Sequence, residues 1–228
     1  MLEFLNRRLG ITPPQKPPPT PYLIEFRLYG STKQFATKIS RELATRFKVA
    51  QSSRPGNPAH NTLFGPFNTP DENRLIKEFG DFCRKYDLIG FRLGGFSHIN
   101  NDVVYLEVEP SQELVEFRRE LAQNFMRFTS DYPPYDDKMD RIFHITLAKD
   151  LEGKFSKIWN YLSKISTPKH DLYMLRVLLL KNKRVVCSYD LIQKRMFSGD
   201  DELNDREYEK TVDLVRKIRE NGGKRTKS

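Results

Sequence analysis

Histidine and cysteine are both scarce in this chain of 228 residues, which has four of the first and two of the second. The cysteines, Cys83 and Cys187, lie far apart in apolar surroundings. That excludes a disulfide framework and reads as reduced core thiols of an intracellular protein. No Cys/His cluster has metal-ligand spacing, so zinc is disfavoured and neither a metal nor a cofactor is expected. Long apolar runs are missing too, which excludes a membrane-spanning helix of ordinary length. The start, "MLEFLNRRLGITPPQKPPPTP", brings in charges too early for a signal peptide. These absences predict a cytoplasmic protein without membrane attachment, and no apolar surface stripe argues against a monomer.

Acidic residues are the minority charge: 30 Asp and Glu face 39 Lys and Arg, a formal +9. Such an excess favours an anionic partner, with nucleic acid, nucleotide or an anionic membrane surface all admissible. Residues 1–21 end in a proline-rich stretch that can form neither helix nor sheet interior, so they read as an extended leader. The folded part is expected over 22–198. Strands are predicted at 22–30, around His60, at 88–99, 103–110, 142–148, 171–180 and 184–192. Helices are predicted at 32–48, 70–86, 111–128 and 152–164. The remainder, 199–228, reads as a helix over 201–220 that runs from acidic to basic, followed by a basic tail suited to an RNA backbone. Strands joined by short turns or one returning helix make this α+β with mostly antiparallel sheet.

Two of the four histidines are spent on one short pattern. "HNTLFGPF" begins at His60 and "HITLAKD" at His144. In a strand, residues two apart share a face. His60 and Thr62 therefore point together, as do His144 and Thr146, while Leu63, Ile145 and Leu147 can anchor the core. Imidazole takes or gives a proton near neutral pH, and a threonine hydroxyl can donate to a phosphoryl oxygen without titrating. Two such pairs across one cleft would set a base and an acid on opposite sides of a phosphorus atom, with the threonines on its non-bridging oxygens. That arrangement needs no metal.

The pair "HNTL" and "HITL", their separation and the closing strand pair resemble the 2H phosphoesterase superfamily, in particular its LigT-like 2′-5′ RNA ligase and cyclic phosphodiesterase branch. The likeness covers roughly residues 22–197. It implies a bilobal fold of two mostly antiparallel sheets, related by a pseudo-twofold axis around a central cleft with helices outside. It also implies metal-independent attack on 2′,3′-cyclic phosphates or 2′-5′ linkages, with RNA or a nucleotide bearing a cyclic phosphate end as partner. By that resemblance His60 and His144 are the catalytic pair, with His144 the base and His60 the acid. Thr62 and Thr146 are phosphate holders, and Lys149 falls where LigT-like proteins often carry a basic residue. The first motif departs from the family form in having polar Asn61, and Phe-Gly-Pro after Leu63.

Five further side chains are expected on the cleft face of their strands: Phe64 as a base-stacking ring, with Arg27, Tyr105, Arg176 and Tyr189. His98 and His170, without a neighbouring threonine, read as surface or structural residues. The alternative to an enzyme is an RNA-binding module that keeps the basic cleft without turnover.

Overall fold

A computed structural model of the chain describes residues 21–138, 141–199 and 205–222, with the side chains of 207–217 in the last segment. The leader up to residue 20, the start of the expected C-terminal helix and the basic tail from 223 lie outside the described residues.

Alternation of apolar and polar residues produces β1 (Tyr22–Arg27), followed by α1 (Gly30–Phe47). The inner face of α1 is Thr32, Ala36, Ile39, Ser40 and Leu43. The apolar residues that the sequence spaces four apart, Phe35, Ile39, Leu43 and Phe47, form a stripe turned slightly from this face. Four-residue steps overshoot a 3.6-residue turn, so Phe35 and Phe47 drift to the flank and are only partly buried. The first histidine strand is β2 (His60–Phe67). Helix α2 (Glu72–Cys83) starts where the Asp71 carboxylate accepts from the Arg74 amide at 2.9 Å. Strands β3 (Ile89–Ile99) and β4 (Val103–Pro110) are joined through Asn100 and Asn101, both at positive φ. The next helix, α3 (Gln112–Met126), is capped by Ser111, whose hydroxyl accepts from the Leu114 amide at 3.2 Å. The second histidine strand, β5 (His144–Ala148), precedes α4 (Phe155–Leu162). Strands β6 (Asp171–Met174), β7 (Arg176–Lys181), β8 (Arg184–Asp190) and β9 (Arg195–Ser198) and helix α5 (Asp205–Gly222) complete the described chain.

The strands form two sheets, ordered β2-β1-β7-β8-β9 and β5-β4-β3-β6, and every pairing is antiparallel. This is the expected α+β fold of two antiparallel sheets with helices. Each histidine strand is an edge, β2 of the first sheet and β5 of the second. The two edges meet: the buried Asn61 amide donates to the His144 carbonyl at 3.0 Å. A second tie runs through α1. The Ser40 hydroxyl donates to the Leu147 carbonyl of β5 at 2.8 Å and accepts from the amides of Ser52 and Ser53.

One expected strand divides. Residues 171–180 read as a single run, but β6 pairs with β3 in the second sheet and β7 lies between β1 and β8 in the first. The chain changes sheets at buried Leu175. An apolar run marks burial and extension, whereas the neighbour it pairs with is a non-local property that periodicity does not carry. The expected closing strand pair also gains β9 at its edge.

Candidate active site

The strand beside each histidine strand supplies residues at matching levels. Across β1 and β2, Arg27 is paired with His60 and Glu25 with Thr62. Across β4 and β5, Glu107 is paired with His144 and Tyr105 with Thr146. Directly paired residues share a face, so each His-Thr pair has two companions. Leu63, Ile145 and Leu147 are fully buried on the opposite side and hold the two strands in the core.

Both imidazole rings are tied in the same way. Nδ1 of His60 lies 2.8 Å from the carbonyl of Pro58, and Nδ1 of His144 lies 3.1 Å from that of Ile142. A carbonyl can only accept, so the bond places a proton on Nδ1 and leaves Nε2 as the atom for proton exchange. The surroundings differ. Nε2 of His60 is 3.7 Å from the buried Glu25 carboxylate, which also accepts from Arg27 Nε at 2.8 Å. His144 packs against the Tyr105 ring, centroid to centroid 5.2 Å. Burial pushes the His144 pKa below its ordinary value, with Arg141 and His60 adding to the effect and the Ile142 carbonyl opposing it.

The space around the histidines forms two chambers with crossed linings. One, of about 790 Å³, has His60 from the first motif and Thr146 from the second, with Arg54, Lys149 and Lys183. The other, of about 580 Å³, has His144 from the second motif and Thr62 from the first, with Tyr135, Lys138 and Arg141. Among the described residues that line them there are five Lys or Arg and no carboxylate. Chambers of that charge concentrate anions. No group of three or more His, Cys, Asp or Glu among the described residues is placed to hold a metal ion.

Of the other residues singled out in the sequence, three stand at the cleft. Arg27 is on the His60 face through its bond to Glu25, Tyr105 touches His144, and Lys149 is largely exposed on the wall of the His60 chamber. Three do not. Phe64 is fully buried against Phe67, Phe125 and Tyr132. The cause is a bulge: Glu25 pairs with Thr62 but Ile24 with Phe64, so Leu63 is an extra residue and Phe64 changes face. Tyr189 is a core residue of β8. Arg176 is buried in an ion pair with Asp190, Nε to Oδ2 3.0 Å, and lies over the rings of Phe197 and Tyr208. It fastens α5 to the first sheet, with Thr211 as a further contact. His98, read as surface or structural, is exposed and packs edge-on against Phe155 and Trp159.

Six side chains of the site were not singled out in the sequence: Glu25, Arg54, Tyr135, Lys138, Arg141 and Lys183. Glu25 stands on the same alternating face as Arg27, which was a readable signal, but its burial beside His60 was not. Arg54 and Arg141 come from the segments leading into the two histidine strands, and only the fold brings them to the chambers.

Residues 35–178 match the family model described as 2'-5' RNA ligase superfamily. The chain belongs to that superfamily. Among curated relatives, a protein of Geobacillus sp. (strain WCH70) named "Putative phosphoesterase" is 27% identical over 124 residues, 51% of this chain and 66% of its own length. A protein of the same printed description from Bacillus cytotoxicus is 29% identical over 99 residues, 41% of this chain. The chain thus spans just under two thirds of the first relative and about half, 53%, of the second. Among solved structures, TT0787 of Thermus thermophilus superposes with a TM-score of 0.51 at 17% identity, covering 78% of this chain and 97% of that one. That likeness shows the fold alone. E. coli LigT in its apo form gives 0.48 at 16% identity, over 78% of this chain and 92% of its own. No helix among the described residues is long and apolar enough to cross a membrane.

Proposed function

We propose that this chain is a metal-independent phosphodiesterase that opens 2′,3′-cyclic phosphate ends of RNA or nucleotides and leaves a 2′-phosphate. The observation that carries the reading is the matched tie of the two rings: each Nδ1 is held by the carbonyl two residues upstream, which leaves both Nε2 atoms for proton exchange.

The cyclic phosphate lies between the chambers. Nε2 of His144 takes a proton from water as the water oxygen bonds to phosphorus. The bond from phosphorus to O3′ breaks, its electron pair stays on O3′, and Nε2–H of His60 delivers a proton there. Thr62 and Thr146 donate to the non-bridging oxygens. The role of base falls to His144 because its lowered pKa keeps it neutral near pH 7. His60, whose Nε2 faces the Glu25 carboxylate, is the acid. The ribose stays on the leaving-group side, so the upstream chain runs through the His60 chamber past Arg54, Lys149 and Lys183. With a ribose 5′-hydroxyl in place of water, the same groups join two ends through a 2′-5′ bond.

The test is hydrolysis, in EDTA, of a short RNA ending in a 2′,3′-cyclic phosphate, beside His60→Ala and His144→Ala. A single 2′-phosphate product, lost in both variants, is expected. RNA binding without turnover by the unaltered chain would overturn this reading in favour of a binding module.

A further inference from the structure

Arg141 is a buried cation with donors left over. Its side chain is 9% exposed. Nη1 is engaged by the Asp136 carboxylate and lies 3.4 Å from the Leu63 carbonyl. Among the described residues, no hydrogen bond engages Nε or Nη2, although the guanidinium rests on the Tyr135 ring at 5.1 Å.

Its neighbour Arg118 is spent differently. Arg118 bonds the carbonyls of Leu63, Lys138, Tyr135 and Asp136 as well as the Asp136 carboxylate. It therefore holds residues 135–138 against β2 with almost all of its fork. Asp136 is completely buried and accepts a further bond from the Gly65 amide at 2.7 Å. The structural work of this cluster is done by Arg118, Asp136 and Gly65, and Arg141 is a second guanidinium on the same carboxylate.

Among the described residues the buried charges of this cluster do not balance. Two buried guanidinium groups share one buried carboxylate, and exposed Lys138 adds a third positive charge at the mouth. Exposed Asp137 acts on Arg118 from outside the chamber. Burial, with repulsion from Arg118, pushes the Arg141 pKa down to about 10. It remains charged at neutral pH and has no full counter-charge among the described residues. An uncompensated buried cation is costly in a closed core. This one is not closed in, because it lines the 580 Å³ chamber beside Thr62 and His144, where no described lining residue is acidic.

We propose that Arg141 is an oxyanion-binding residue that takes a phosphate oxygen of the substrate on the His144 side of the cleft. Its free Nε and Nη2 form the donor fork that suits phosphate, and the arriving anion supplies the missing counter-charge. Two phosphates can fill this place: the reacting cyclic one, or a further phosphate of a longer nucleotide, in which case the upstream chain runs through this chamber and not through the His60 chamber proposed above. Which phosphate reacts rests on the function proposed above; the oxyanion site itself does not.

The experiment begins with the unaltered full chain. Inorganic phosphate is titrated while the Nε–H resonance of Arg141 is followed by NMR, assigned through its loss in Arg141→Gln. A saturable shift is expected, and no shift overturns the proposal; where Arg141→Gln does not fold, loss of the same resonance in Arg141→Lys assigns it. Phosphate binding by Arg141→Gln should be roughly 10- to 100-fold weaker, with Arg141→Lys between the two. Equal binding by all three also overturns it. Kinetics then separate the sources. Arg141→Gln should impair a 2′,3′-cyclic mononucleotide and a dinucleotide with the same end alike if Arg141 holds the reacting phosphate, but only the dinucleotide if it holds another. A phosphate-dependent shift of Arg141 without turnover of either substrate would support the site and sink the cyclic phosphodiesterase reading.

Discussion

His60 and His144 sit on edge strands of different sheets, with the same ring tie to the carbonyl two residues back and the same threonine two residues on. What differs is the charge around them. The first has a buried carboxylate facing Nε2, and the second has a tyrosine ring and an arginine nearby. The copies differ also in the residue between His and Thr. Ile145 is pure core, whereas Asn61 reaches across to bind the backbone of the other copy. A repeated backbone pattern thus supplies two equivalent nitrogens, and the non-repeated side chains give them unequal tasks.

The largest effect follows from removing either copy. His60→Ala and His144→Ala should each lower kcat by about 10²- to 10⁴-fold, measured on a cyclic-ended oligonucleotide. A large loss in one and a small loss in the other would break the pairing of roles. Making the copies alike is the next step. Asn61→Ile removes the only side-chain hydrogen bond given to the His144 carbonyl among the described residues. A displaced reacting group costs up to about 10²-fold, so kcat should drop by roughly 10-fold while stability changes by only about 1 kcal/mol. The stability change is small because the variant also removes Asn61 Oδ1, a buried acceptor with no partner among the described residues. Thermal unfolding and kcat should therefore separate.

The charge difference is read through pH. A base must be neutral, and the lowered pKa of His144 means it loses its proton below the usual histidine value of about 6.5. The acid limb of kcat/KM should accordingly lie below that value. Arg141→Gln removes a nearby cation that disfavours the imidazolium, so the limb should move to higher pH. An unmoved limb would assign it to another group. The smallest effect is expected at Lys149, which is 61% exposed and 3.9 Å from Asp150. Lys149→Ala should raise KM a few-fold in low salt and little in high salt, with kcat unchanged.

The features legible in the sequence are those set by neighbours in the chain. A two-residue period put each His beside its Thr on one face, and that is how β2 and β5 present them. The same rule failed at Phe64, because one extra residue at Leu63 reverses the phase and nothing in "HNTLFGPF" announces it. Arg176 was misplaced for a related reason. A charged residue in a strand reads as exposed, and its buried partner Asp190 is fourteen residues on. Arg141 shows the limit from the other side, since its unused donors have meaning only once Arg118 and Asp136 are folded against it.

The crossing at Leu175 has a consequence for how the protein is made. Strand β1 lies between β2 and β7, so the sheet that carries His60 obtains its centre and far edge from residues 176–198. Both histidines leave the ribosome before that sheet has more than two strands. A pair of strands by itself is marginal in water, and the first motif must wait as an unsupported ribbon until the last third of the chain arrives. The two lobes cannot be separated along the chain: a gene fragment ending at residue 174 would encode both His-Thr pairs and still lack the strand beside β1 in the sheet that carries the first of them.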